Sequence, residues 1–278
     1  WNQWEPSTKT VQHAQDVYRF RFKDQGFDER FSDKNISTVS DEICEAPEYA
    51  KPTFLVGGFP CQDYSVAKSA TAALGLEGKK GVLWWEILKL AQKLSPKYLI
   101  LENVDRLLKS PTSKRGRDFA IMLSSLGKIG YQVEWRVVTA SDFGAFQKRR
   151  RIYIVASKTL LKHGSLLSSR QAEEHLTETG PLARAFPLEG FSSSLETFQV
   201  GTNPLLVETE YSPSKGKSRF LDAGLYVDGD VYTASANPKL EAPRVLREIL
   251  LDWRIEPSVI PEEYFIPCLL YTSPSPRD

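Results

Sequence analysis

The sequence predicts an α/β protein in which buried strands and amphipathic helices alternate to build a wound sheet. Apolar runs of strand length recur at 53–57, 98–102, 131–139 and 151–156. Segments with helical periodicity lie around and between them. The chain has 278 residues, 41% hydrophobic and 26% charged, enough to bury a full core in one large domain or two ordinary ones.

Residues 8–22 carry Val11, Ala14, Tyr18 and Phe22 at helical spacing, with Ser7 placed to cap the start after Pro6. The strand at 53–57 follows and runs into Gly57-Gly58-Phe59-Pro60-Cys61-Gln62. A second helix is predicted over 82–94 from Leu83, Ile87, Leu90 and Leu94, and leads to the strand at 98–102. A third runs from about Asp118 to Ile129 with Phe119, Met122, Leu126 and Ile129 on one face, and Gly130 ends it. The strands 131–139 and 151–156 come next. After Ser157 glycine, proline and serine become frequent and periodicity weakens. Short β-like pieces at Gly224–Val227 and Asp230–Thr233 and one helix, roughly Pro243 to Leu251, mark 158–267 as a second, smaller module. There is no internal repeat.

No apolar stretch approaches the ~18 residues of a membrane span. A net charge of +1 leaves nucleic-acid affinity to local basic clusters. Cys44, Cys61 and Cys268 have neither metal-ligand spacing nor the look of a disulfide framework, so no metal is expected and a reducing cytoplasm fits. A monomer is expected. The chain opens on Trp1 directly in structured-looking sequence, which makes the lack of a signal peptide weak evidence. Residues 268–278 resemble an in-frame translation of a sequencing adapter, and natural sequence is expected to stop near Pro267.

The chemistry concentrates at two strand ends. Cys61 follows the Gly-Gly-Phe-Pro turn, where glycines admit close backbone approach and proline stiffens the presentation of the thiol. Parallel α/β sheets bind ligands at such carboxyl ends. His13, His163 and His175 form no catalytic pattern with Cys61 and are read as surface or core residues, so activation of the electrophile is required instead. Glu102, in Glu102-Asn103-Val104 at the end of the next strand, supplies a carboxyl whose desolvation would keep it a proton donor. In Gln147-Lys148-Arg149-Arg150-Arg151, alternation puts Gln147, Arg149 and Arg151 on one side of an extended chain. If 131–139 and 151–156 pair antiparallel, that run returns to the face of Cys61 and Glu102, where arginines can hold a phosphate or a base. Glycines 75, 78 and 81 precede the second helix as an ordinary glycine-rich loop.

In this order, Pro60-Cys61-Gln62, Glu102-Asn103-Val104 and Gln147-x-Arg149-x-Arg151 resemble the signatures of DNA cytosine-5 methyltransferases of bacterial restriction–modification and phage type. Asn2-Gln3-Trp4-Glu5-Pro6 and Asp142-Phe143-Gly144 extend the likeness over about residues 1–157. The family's first motif and its last two are missing, so a fragment inactive by itself is expected, with 158–267 part of a target-recognition region.

The resemblance implies a Rossmann-like class I fold and S-adenosylmethionine as methyl donor. It also implies duplex DNA as partner, with the target cytosine flipped out of the stack. Cys61 would add to carbon 6 while Glu102 protonates or hydrogen-bonds nitrogen 3. Arg149 and Arg151 would position the base, Gln147 would order the active-site loop, and Gln62 to Ser69, including Ser65, would close over DNA. Asn103 would order the strand end. For the cofactor, Glu5 would bond the ribose, Trp4 would pack on adenine, and Pro60, Ile36 and Leu83 would line the site. Asn35 stands where the family usually has aspartate, which leaves the adenine contact open. Lys215, Lys217 and Arg219 form a candidate phosphate-contacting loop, with a solvated basic loop as the alternative. Competing functional readings are a cytosine-5 methyltransferase acting on transfer RNA and a non-catalytic DNA-binding relic.

Overall fold

The computed structural model describes residues 13–22, 36–45, 52–59, 83–161, 167–242, 244–245 and 248. Two helices come first, α1 (His13–Phe22) and α2 (Ile36–Glu45). Strand β1 (Phe54–Gly58) leads, across residues 60–82, to α3 (Leu83–Leu94) and then to β2 (Tyr98–Asn103). β1 and β2 pair in parallel from Phe54↔Tyr98 to Gly58↔Glu102, which sets the two chemistry-bearing strand ends side by side. Helix α3 buries Trp84, Trp85, Leu90, Ala91 and Leu94, the face expected of a crossover helix.

Helix α4 (Arg117–Lys128) is buried along its whole middle, from Asp118 to Leu126. It stops at Gly130 (φ 83°), where Tyr131 N donates to Leu126 O (3.0 Å) and Gly130 N to Gly127 O (2.9 Å), the paired closing bonds of a left-handed glycine cap. Strands β3 (Gln132–Thr139) and β4 (Arg150–Ser157) form an antiparallel hairpin, and β4 also pairs antiparallel with β2 through Glu102↔Tyr153 and Asn103↔Ile152. The α/β architecture is thus observed. Among the described residues its parallel part is the β1–α3–β2 unit, and the other strand pairs are antiparallel.

The sheet continues beyond Ser157. After α5 (Ser169–Glu174), a π-helical turn (His175–Thr179) and α6 (Pro181–Ala185), the chain forms β5 (Leu188–Phe191), β6 (Glu196–Gln199), α7 (Pro204–Glu210), β7 (Ala223–Val227), β8 (Asp230–Ala234) and β9 (Ala236–Pro238). One seven-stranded sheet runs in the order β1-β2-β4-β3-β7-β8-β6, and β5 and β9 form a separate pair. The core crosses residue 157 as well: Phe119, Trp135 and Phe220 stack edge to face, with ring centroids 5.0 to 5.9 Å apart.

The first predicted helix is observed from His13, and its proposed Ser7 cap lies outside the described residues, as does residues 268–278. Most of the helix predicted over 243–251 also lies outside them. The three short helices α5, α6 and α7 were not anticipated from periodicity. Local capping makes them: a Ser168–Gln171 capping box starts α5, and Asn203 with Pro204 starts α7.

Candidate active site

The site is built where β1 and β2 end together. Gly58 is paired with Glu102, and a Cβ at Gly58 would lie 3.1 Å from Glu102 Oε2. Only a residue without a side chain leaves that oxygen its room. Asn103, buried beside it, donates Nδ2 to the Phe59 carbonyl at 2.9 Å and accepts from Val104 N at 2.8 Å. Phe59 is buried against Trp84. The backbone two residues before Cys61 is therefore tied to the end of β2 through a side-chain amide.

Arg151 reaches this corner from β4. Its Nε stands 2.9 Å from Glu102 Oε1, with the carboxylate 36% and the guanidinium 23% exposed. Its Nη1 donates to the Arg150 carbonyl at 2.7 Å. The ion pair occupies Oε1 and leaves Oε2 on the Gly58 side. The antiparallel β3–β4 hairpin does bring the basic run back to Glu102.

The run itself is not extended throughout. Arg149 N donates to Gln147 O at 2.9 Å, a tight turn that breaks the alternation between these two residues before β4 begins. Gln147 and Arg149 are exposed, and the Arg149 carbonyl accepts from Ala140 N at 2.8 Å. Arg150, which alternation assigns to the opposite side from Arg151, donates to Asp105 Oδ2 (3.0 Å) and to Asp222 Oδ1 (2.8 Å). The sequence reading did not single out Arg150, Asp105 or Asp222. Alternation separates Arg150 from Arg151, but no local pattern links it to Asp222.

Trp4, Glu5, Asn35, Pro60, Cys61, Gln62 and Ser65 lie outside the described residues. Ile36 opens α2 and Leu83 opens α3, both half-buried. Beside Leu83, the first turn of α3 holds three buried polar atoms with no hydrogen-bond partner among the described residues: Nε1 of Trp84, Nε1 of Trp85 and Oε2 of Glu86. No group of three or more metal-ligating side chains occurs among the described residues, and no helix there is long and apolar enough to cross a membrane.

The candidate phosphate loop divides. Lys215 (φ 48°) and Gly216 (φ 74°) turn the chain between the bridged residues Ser214 and Lys217, leaving both lysines exposed. Arg219 turns away and lies 3.9 Å over the Phe198 ring, lining a cleft of about 550 Å³ with Asn203, Leu206 and Tyr211. Ser218 hydroxyl donates to the Leu108 carbonyl, fastening this loop to the 3-10 helix Asp105–Lys109 that follows Glu102. His175 is a core residue: its Nε2 is 3.2 Å from Glu134 Oε2.

The model of the C-5 cytosine-specific DNA methylases matches residues 5–225. The chain belongs to that family. The match ends in β7, so it takes in the Glu102–Arg151 corner and Asp222 alike. Among relatives, the type II methyltransferase M.Sau3AI of Staphylococcus aureus is 44% identical over 249 residues, covering 90% of this chain and 58% of its own. M.NgoBI of Neisseria gonorrhoeae is 37% identical over 149 residues, 54% of this chain and 42% of its own. The match of this family member thus spans 58% and 42% of the lengths of these two relatives. The solved structure of the Entamoeba histolytica methyltransferase EhMeth overlays 56% of this chain and 45% of its own at 20% identity and a TM-score of 0.38, too loose to carry an argument.

Proposed function

We propose that the protein methylates carbon 5 of cytosine in duplex DNA through a covalent Cys61 adduct, as the modification activity of a restriction–modification system. The observation that carries the reading is the Glu102–Arg151 pair, set across Gly58 at the chain's approach to Cys61. The type II methyltransferases among its relatives support the restriction–modification setting.

A cytosine inside the stack cannot be attacked at carbon 6, so the target base leaves the duplex first. Cys61, as thiolate, adds to carbon 6, and its electron pair becomes the new carbon–sulfur bond. Glu102, carrying a proton on the oxygen that Arg151 leaves open, gives it to ring nitrogen 3. The π pair displaced from carbon 6 is thereby taken up in the ring as an enamine with nucleophilic carbon 5, and Glu102 takes the proton back when Cys61 leaves. Arg151 holds Glu102 in place, and Arg149 is available at the same turn for the base or its phosphate. S-adenosylmethionine, when bound, supplies the electrophilic methyl group that carbon 5 of the adduct accepts. A base then takes the proton from carbon 5, the ring double bond reforms, and the Cys61 sulfur leaves with its electron pair.

The first turn of α3 supports a bound polar ligand, because the Trp84, Trp85 and Glu86 atoms there are buried without a hydrogen-bond partner among the described residues. Leu83 and Ile36, with Trp4, Glu5, Asn35 and Pro60, would hold the methyl donor. Gln62, Ser65, Asn103, Gln147, Lys215 and Lys217 would serve the DNA side, Asn103 and Gln147 by ordering the backbone, while Arg219, stacked on Phe198, would not.

Labelled methyl transfer to duplex DNA by a full-length version of the protein tests the reading, with a transfer-RNA arm beside it. Label at cytosine carbon 5 of the duplex is expected, Cys61→Ala removes it, and a 5-fluorocytosine duplex traps a protein–DNA adduct. Glu102→Gln lowers kcat by about 10²–10⁴. Label in transfer RNA alone, or undiminished transfer by Cys61→Ala, rejects the proposal.

A further inference from the structure

We propose that Arg150 is a positioning residue, clamped between Asp105 and Asp222 so that its backbone carbonyl fixes Arg151 against Glu102. The proposal rests on the methyl-transfer reading of that corner and adds to it a residue outside the signature positions.

Arg151 has two acceptors, Glu102 Oε1 on Nε and the Arg150 carbonyl on Nη1. The direction of the Arg150 carbonyl thus helps set the plane of the guanidinium that holds Glu102. Arg150 is the first residue of β4, where the tight turn at Gln147–Arg149 gives way to the strand. The start of this strand is held by its ladder, by the Ala140 N–Arg149 carbonyl bond just before it, and by what the Arg150 side chain grips.

The Arg150 side chain grips two carboxylates with different atoms, Asp105 Oδ2 with Nε and Asp222 Oδ1 with Nη2. Asp105 stands three residues after Glu102, at the start of the 3-10 helix. Asp222 directly precedes β7, and its carbonyl accepts from Val137 N at 2.7 Å, so it is fixed to β3. One planar fork therefore joins the exit of the acid's own strand to the entry of a strand from the C-terminal half. A lysine, as a point charge, cannot hold both carboxylates in one plane. Arg150, Asp105 and Asp222 are 37–49% exposed, so the bridge contributes little to stability and acts chiefly through orientation.

Steady-state methyl transfer, DNA affinity against salt, and the Arg151 Nε–H resonance test the clamp in Arg150→Gln, Arg150→Lys, Asp222→Asn and the Gln/Asn double variant. Loss of orientation predicts kcat about tenfold lower in Arg150→Gln and in Asp222→Asn, with KM for DNA within about twofold. The double variant falls no further than the worse single one, because both break the same bridge. Arg150→Lys does not restore kcat. The Arg151 Nε–H signal, protected from solvent exchange in the parent, loses that protection in Arg150→Gln.

An unchanged kcat, or additive losses in the double variant, overturns the proposal. So does a pure loss of DNA affinity with a salt slope smaller by about one, which would make Arg150 a phosphate contact instead. If the parent protein transfers no methyl group to DNA, the functional reading fails by itself. The clamp is then decided by the Arg151 resonance: protection lost upholds it and protection kept overturns it.

Discussion

Asn103 bonds the carbonyl of Phe59 through Nδ2 at 2.9 Å, joining the end of β2 to the backbone that leads into Cys61. The same side chain accepts from Val104 N, so both of its polar ends are spent on backbone within the site. With Asn103 only 2% exposed, truncation strands the Phe59 carbonyl without solvent to replace the lost donor. Asn103→Ala is expected to cost about 1–3 kcal/mol in urea unfolding. It should also lower kcat more than it weakens DNA binding, since the approach to the thiol loses its tie to the acid's strand. An unfolding midpoint equal to that of the parent would show that the bond carries no weight.

Gly58→Ala separates site geometry from stability. The added methyl would stand 3.1 Å from Glu102 Oε2, closer than ordinary contact, and must push the carboxylate aside. Among the described residues nothing else lies within 4 Å of that methyl except the Glu102 carbonyl at 3.8 Å, and Gly58 is in regular strand conformation. The melting temperature should therefore hold within a few degrees, as for a substitution worth at most about 1 kcal/mol, while kcat drops about tenfold or more. Full activity in Gly58→Ala would mean that Oε2 has no part in catalysis.

The legible part of this site was carried by residues adjacent in sequence. Pro60-Cys61-Gln62 and Glu102-Asn103 each sit at the end of an apolar run, and parallel pairing of those runs makes neighbours of their ends. The approach of Arg151 to Glu102 follows from antiparallel pairing of 131–139 with 151–156, because β4 then lies between β2 and β3. Arg150 was not legible: its partner Asp222 is 72 residues away, and only the junction of β7 with β3 delivers it. The short helices after residue 167 run five to seven residues, less than two turns, so periodicity had nothing to act on and their caps were the only signal.

Beneath the sheet, a buried charged group ties β3 to the C-terminal half. Glu134 Oε2 lies 3.2 Å from His175 Nε2 and Oε1 lies 3.9 Å from Arg136, whose Nη1 donates to the Phe186 carbonyl at 2.8 Å. Burial pulls the Arg136 guanidinium down to about 10, against the pull of Glu134, which leaves it charged at neutral pH. Glu134→Leu strands that charge in the core and should cost about 3–5 kcal/mol in denaturant unfolding. Glu134→Leu with Arg136→Met should recover much of the loss, because it removes both desolvated charges. Equal destabilisation by the single and double variants would mean that packing, not charge, dominates there.

Tyr211 makes an alkaline prediction of definite sign. Burial pushes its phenol up to about 12, and its hydroxyl donates to the Arg115 carbonyl at 3.3 Å. A folded-state value above the unfolded one, about 10, stabilises the fold fully below pH 10 and loses that contribution as pH rises through 12. Two units correspond to about 2.7 kcal/mol, an upper figure for this residue. Tyr226 shifts in the same direction for the same reason, while Arg136 titrates in the opposite sense, so the parent's melting curve alone cannot assign the effect. The comparison with Tyr211→Phe can. At pH 8 the phenylalanine variant should be less stable by about 1 kcal/mol, the worth of the lost hydrogen bond. That gap should close and then reverse between pH 10 and 12, because only the tyrosine must bury a charge. A gap that stays constant over this range would show that the Tyr211 phenol reaches solvent before it ionises.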